Sequence, residues 1–193
     1  MQLEIKINKT SQTNKMNFCS NCGQPLTYLR PPGDDRSRYC CETCGVVHYQ
    51  NPLMVVGCIP EMEDQILLCR RAIEPCYGKW TLPAGYLENG ETVAEGAKRE
   101  AFEEAYARVE ILGPYALYNI CHVNQIYLMF RARLENNGIR AGRESIEVKL
   151  FAEDDIPWEE MAFRVIEQTL KRYYQDRRSG RFKFYMADIA KPR

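Results

Sequence analysis

Charge of one sign, histidine and long apolar runs are what this chain lacks. Its 26 basic and 26 acidic residues cancel to a formal charge of zero, which argues against nucleic acid as a partner, since such binders carry a basic excess. The only two histidines, His48 and His122, are isolated in the sequence and suggest neither an acid–base pair nor a histidine metal site. No stretch approaches the ~20 apolar residues of a membrane span. Residues Met1 to Lys15 are polar, without the apolar run of a secretory signal. The expectation is a cytoplasmic protein with no membrane partner.

Cysteine, by contrast, is plentiful, with nine in 193 residues. In a reducing compartment these are thiols rather than disulfides. Four of them form two copies of C-x2-C-G, Cys19-Ser20-Asn21-Cys22-Gly23 and Cys41-Glu42-Thr43-Cys44-Gly45, separated by eighteen residues. Thiolate pairs at this spacing suit a tetrahedral Zn2+ site, and the glycine after each pair permits a tight knuckle turn. Four sulfurs leave zinc no open position, so Cys19, Cys22, Cys41 and Cys44 are expected to hold a structural ion. A redox role for the pairs is the weaker alternative, because two matched pairs more simply share one metal. Cys40 breaks the repeat and is left out. Cys58, Cys69, Cys76 and Cys121 sit in apolar stretches and read as small core residues.

The chain divides accordingly into a loose tail at 1–17, a zinc ribbon at 18–48 and a larger domain at 49–193. In the larger domain, apolar runs predict strands at 54–59, 65–69, 109–112, 115–120, 126–134 and 148–151. Met161, Val165, Ile166, Leu170 and Tyr173 recur at helical spacing, predicting a helix over 158–176 that ends before Ser179-Gly180. Residues 182–186 alternate as an edge strand would. These elements read as an α/β (α+β) fold with a mixed sheet between helices.

The most informative segment is 85–107, which reads G-x5-E-x7-R-E-x2-E-E from Gly85 through Glu91, Arg99-Glu100 and Glu103-Glu104. If it is helical from Glu91, the 3.6-residue period puts Glu100, Glu103 and Glu104 within roughly a third of the circumference. Like charges at that spacing cost roughly 0.2–0.5 kcal/mol per pair. A hard divalent cation is the natural compensation, because Mg2+ takes oxygen ligands and shares them with substrate phosphates. Ala94, Ala97, Ala101 and Ala105 form a small-residue stripe that lets the flank pack closely on a sheet. Trp80-Thr81-Leu82-Pro83-Ala84-Gly85 reads as a strand end and a loop that brings backbone carbonyls to the same place.

Through LPAG at 82–85, Glu91, Arg99, Glu100, Glu103 and Glu104, the chain resembles the Nudix hydrolase family. The resemblance implies a Nudix-type sheet sandwiched between helices and Mg2+- or Mn2+-dependent hydrolysis of a nucleoside diphosphate linked to another moiety. It implies that Glu100, Glu103, Glu104 and the carbonyl of Ala84 hold the catalytic metal, with Glu104 the indispensable ligand, and that Glu91 and Arg99 form a structural ion pair. The general base is a box glutamate or one on a later loop, where Glu147 is narrowly preferred over Glu144. Tyr106 stands where the family's box has glycine. A left-handed residue past a helix costs an L-amino acid roughly 1–2 kcal/mol, so the helix is expected to run a residue or two further.

For the substrate, Arg71, preferred over Arg70, is positioned by alignment to clamp a phosphate oxygen. Trp80 either stacks on a base or fills the core, with core the default. Tyr115, Tyr118, Asn119, His122 and Tyr127 fall where the family builds its leaving-group pocket. The SQPWPF-type motif of ribbon-bearing NADH diphosphatases is absent. The ribbon, the Tyr49-Gln50-Asn51-Pro52 connector and ESIEVKLF are more similar to the branch that includes plant plastid FAD and ADP-ribose diphosphatases. The resemblance therefore implies FAD or ADP-ribose as substrate, AMP plus FMN or ribose 5-phosphate as products, and a homodimer. NADH or another dinucleotide is the alternative substrate. A nucleotide-sensing or nucleic-acid-binding regulator is the competing class, disfavoured because all three carboxylates are kept.

Overall fold

The computed structural model describes residues 15–135 and 138–191; most of the expected tail, 1–14, lies outside them. The chain divides between Pro52 and Leu53 into two compact units. In the first unit, β1 (Thr27–Leu29), β2 (Arg38–Cys40) and β3 (Val47–His48) form a three-stranded antiparallel sheet. Its two knuckles are built alike. The Gly23 N–H donates to the Cys19 carbonyl and the Gly45 N–H to that of Cys41, each at 2.8 Å. Both glycines adopt positive φ, 75° and 74°, a conformation with no Cβ penalty only for glycine.

The second unit is a mixed sheet ordered β10-β5-β4-β9-β8-β11. Its strands are β4 (Leu53–Met62), β5 (Gln65–Arg71), β8 (Val109–Ile120), β9 (Gln125–Leu134), β10 (Ser145–Phe151) and β11 (Tyr185–Asp188). The short β6 (Trp80–Thr81) pairs with β5 and β7 (Ala84–Tyr86) with β4. The strands β4 and β9 run parallel, as do β8 and β11. Alternation along the strands feeds two cores. Leu67 and Cys69 of β5, with Val56 and Cys58 of β4, pack with Ala97, Ala101 and Ala105 of helix α1 (Val93–Ala105). Ile66, Leu68 and Ile59 face the other way, onto Val165, Ile166 and Leu170 of α2 (Arg164–Ser179).

Several expectations need correction. Helix α1 starts at Val93, not Glu91, because Thr92 caps it: the Glu95 N–H donates to the Thr92 hydroxyl while the Glu95 carboxylate accepts from the Thr92 N–H. Nor does α1 run on past the box. It stops at Ala105, and Tyr106 itself takes the left-handed cap at φ 50°. The stretch expected to open α2 is not helical throughout. Residues Trp158–Glu160 form a separate 3-10 turn, and Met161 is extended and bridged to Trp80, with the Ala162 N–H donating to the Trp80 carbonyl at 2.8 Å. That pairing holds back the helix, which then continues through Ser179, one residue into the expected stop, and is ended by left-handed Gly180. The two strands expected at 109–120 are one, kinked by bulges around Gly113 and Pro114. Cys121 is exposed and Cys76 half-buried on a loop, so neither is a core residue.

One close approach sets the path of the LPAG loop. A Cβ on Gly57 of β4 would lie 2.4 Å from the Ala84 Cβ and 2.6 Å from the Pro83 carbonyl oxygen. Because one of those atoms is backbone, overpacking here has no cheap relief. Gly57→Ala is expected to lower the unfolding free energy by about 1–3 kcal/mol, measured by urea denaturation; an unchanged midpoint would refute it.

Candidate active site and metal centres

Arg99 is the hub of the acidic cluster. Its guanidinium grips Glu91 bidentately, Nε to Oε2 at 3.0 Å and the second nitrogen to Oε1 at 2.7 Å. It also donates to Glu100 at 2.6 Å, to Glu103 at 3.2 Å and to the Tyr86 carbonyl at 3.0 Å. Arg99 thus does more than pair with Glu91, the one partner read from the sequence. Glu91 lies before the helix and accepts from the Glu88 N–H at 2.7 Å. Hydrogen bonding to Arg99 pulls its pKa down to about 2. Glu100 lies so close to Gly85 that a Cβ there would be 2.4 Å from its carboxyl group.

Charge and burial conflict at the other end of the cluster. Glu100 and Glu104 are both buried, at 8% and 7% exposure, whereas Glu103 is exposed. Burial raises the pKa of Glu100 against the pull of Arg99. Burial, then the charge of Glu100, pushes Glu104 up to about 8; Arg71 and a hydrogen bond from the Ala84 backbone oppose the rise and Glu144 adds to it. Glu104 is therefore a buried acid short of positive charge. An oxygen-only donor set in that state fits a hard divalent cation.

The flanking residues separate. Arg71 acts electrostatically on Glu104 and on Tyr127, with Nε donating to the Pro75 carbonyl at 2.8 Å and its guanidinium 5.1 Å from the Phe163 ring centre. Arg70 donates to the Gly78 carbonyl and stands 3.8 Å from Glu147, its register partner on β10. The field of Glu144 reaches both Glu100 and Glu104. Trp80 is not open for stacking on a base: it is 6% exposed and packs edge-on to Phe151 in the α2-side core. Tyr115 and Tyr118 are buried in the same core. Of the leaving-group candidates, Tyr127 packs against the α2-side core, where burial and then Tyr86 raise its pKa to about 12.

In the ribbon, ligand atoms of Cys19, Cys22, Cys41 and Cys44 all lie within 4.8 Å of one another. The Cys19 and Cys44 sulfurs are 3.7 Å apart and those of Cys22 and Cys41 3.4 Å. This sulfur-only set fits Zn2+. Its neighbour His48 was passed over in the sequence because nothing marks a lone histidine; its Nε2 lies 3.3 Å from the Cys19 sulfur. Gly142 was also missed. A Cβ there would meet the Glu103 carbonyl oxygen at 1.7 Å.

Comparison with known proteins follows the same division. The NUDIX domain model matches residues 51–173 and the Nudix N-terminal zinc-ribbon model residues 17–50. The NAD-capped RNA hydrolase NudC of Stutzerimonas stutzeri is 31% identical over 85% of this chain, which spans 58% of that relative's length. An ADP-ribose pyrophosphatase of Methanocaldococcus jannaschii is 30% identical over 56% of the chain and 67% of its own length. A NUDIX hydrolase crystal structure from Nitrosomonas europaea superposes with a TM-score of 0.89 at 52% identity, covering 91% of this chain and all of that one.

The raised Glu104 pKa has a definite sign. The folded protein holds a proton that the unfolded chain gives up near 4.5, so Glu104 costs stability progressively as pH rises from 4.5 to about 8. Metal-free protein is expected to melt at lower temperature across that window, and Glu104→Gln to flatten the fall. Equal slopes for the two proteins by calorimetry would refute the assignment. Protein purified without chelator is expected to carry about one zinc per chain by elemental analysis; its absence would remove the ribbon site.

Proposed function

Because the chain belongs to the Nudix hydrolase family, we propose that it hydrolyses the pyrophosphate of a nucleoside diphosphate derivative, FAD or ADP-ribose, to AMP plus FMN or ribose 5-phosphate. The observation that carries this reading is Glu104, a buried acid beside a second buried acid, where burial and the charge of Glu100 outweigh the pull of Arg71. Glu100, Glu103, Glu104 and the Ala84 carbonyl are the groups that would hold Mg2+ or Mn2+. When bound, such an ion neutralises phosphate oxygens and lowers the pKa of a coordinated water.

The chain's own residues do the rest. Arg99 holds Glu100 and Glu103 in place, so the donor set is arranged before substrate arrives. Arg71, next to the acidic cluster, supports a phosphate-clamping role, and Arg70, tied to Gly78 and Glu147, supports that role less. Glu144 replaces Glu147 as the preferred proton acceptor, because its field reaches both buried acids while Glu147 faces Arg70. The four-cysteine ribbon is structural in this reading.

A dinucleotide of the NAD type is the second reading, favoured by the relative named as an NAD-capped RNA hydrolase, which aligns over 85% of this chain. A panel of FAD, ADP-ribose, NADH and nucleoside triphosphates with Mg2+ or Mn2+, read by chromatography, separates the two. AMP released from FAD or ADP-ribose is the expected result. No turnover of any diphosphate compound would sink the enzyme reading. Glu104→Gln is expected to lose about 100-fold or more in kcat while keeping its circular dichroism spectrum.

A further inference from the structure

A non-glycine residue in the left-handed region costs roughly 1–2 kcal/mol, and Tyr106 accepts that cost at the end of the helix that carries the acidic cluster. Such strain persists where surrounding contacts hold it in place. Here the contacts are aromatic and cationic. The Tyr106 ring packs edge-on against Phe102 at 5.3 Å, and the Arg140 guanidinium lies 3.9 Å from its centre. A cation held over a tyrosine face contributes about 0.5–1 kcal/mol at an exposed site.

The same segment that supplies Arg140 also caps the helix backbone. The Arg140 N–H donates to the Ala105 carbonyl at 3.0 Å and the Gly142 N–H to the Glu104 carbonyl at 2.9 Å. Helix α1 has no basic residue in its last turn, so Arg140 also brings positive charge to the negative end of the helix dipole from another part of the chain. Gly142 sits against the Glu103 carbonyl, where no side chain fits. Two residues on is Glu144, whose own carbonyl accepts from the Ala72 N–H at 2.8 Å, just past the end of β5. Glu144 is thereby pinned between the end of α1 and the end of β5.

We propose that Tyr106, Arg140 and Gly142 form a positioning clamp that fixes the Glu144 loop against the helix bearing the acidic cluster. None of the three touches the reacting atoms. The inference rests on the proposed proton-accepting role of Glu144, but the clamp is physical and can be read separately. The stack borders a shallow cavity of about 380 Å3 lined by Phe102, Tyr106, Arg108, Gly138 and Arg140, none of which belongs to either core.

The test uses Arg140→Ala, Tyr106→Gly and Arg140→Lys, with amide hydrogen exchange and ADP-ribose hydrolysis as readouts. Tyr106→Gly relieves the strained backbone, so its melting temperature is expected to hold or rise. Exchange at the Arg140 and Gly142 amides is nevertheless expected to quicken in Tyr106→Gly and Arg140→Ala. In both, kcat is expected to fall about tenfold, since small misplacements of a reacting group are costly, while KM stays within about twofold. Arg140→Lys keeps a cation over the ring and is expected to recover most of the loss. Unchanged exchange in both variants overturns the clamp, whatever the kinetics. Faster exchange with unchanged kcat, or with a change confined to KM, overturns its catalytic purpose. Glu144→Gln tests the underlying reading: full activity there removes the proton-accepting role, while the exchange result still decides whether the clamp exists.

Discussion

Everything at the acidic site depends on Arg99. One guanidinium joins a carboxylate on the loop before α1, two carboxylates on the helix and a backbone carbonyl at the end of β7. Planar, always charged and presenting a fixed fork of donors, arginine can serve such a set where lysine cannot. Without it, Glu91, Glu100 and Glu103 would repel one another, and β7, which holds Ala84 and Gly85, would lose its tie to the helix. Arg99 leaves Glu104 unserved. The helix therefore carries two acids arranged by a permanent cation, Glu100 and Glu103, and a third, Glu104, that stays short of charge.

Much of this was legible in the chain, for physical reasons that differ from residue to residue. The cysteine pairs announce themselves because thiolate spacing and the following glycine are dictated by knuckle geometry, and both Gly23 and Gly45 do adopt positive φ. The alanine stripe of α1 reads correctly because packing against a sheet demands small side chains at helical intervals. The start of α2 did not read correctly. Periodicity counted Met161 as helical, whereas a long-range bridge to Trp80 holds it extended, and no local pattern encodes a partner 81 residues away. Tyr106 misled in another way. Propensity disfavours a left-handed tyrosine, but tertiary contacts to Phe102 and Arg140 outweigh that preference.

Glu144, just before β10, and Glu147, inside that strand and not on the loop expected from the sequence, show where sequence distance and spatial distance part. Glu144 and Glu147 are three residues apart, yet a register shift between Ser145 and Glu147 turns the second toward Arg70. A bulge of this kind re-aims a side chain without altering composition. Trp80 is a similar case: it borders the LPAG segment in sequence and packs edge-on to Phe151 in the opposite core.

The parallel pairing of β4 with β9 has a consequence for how the molecule comes into being. Parallel neighbours cannot be joined by a hairpin, and the stretch between these two contains β5, β7, α1 and β8. The acidic helix is therefore part of the long excursion that must be closed before the middle of the sheet exists. Closing it costs chain entropy before the central contacts can repay it. A partly folded chain with its hairpins formed but this crossover open would lack the finished sheet on which the alanine stripe of α1 packs, so the burial that isolates Glu104 arrives only as the fold is completed.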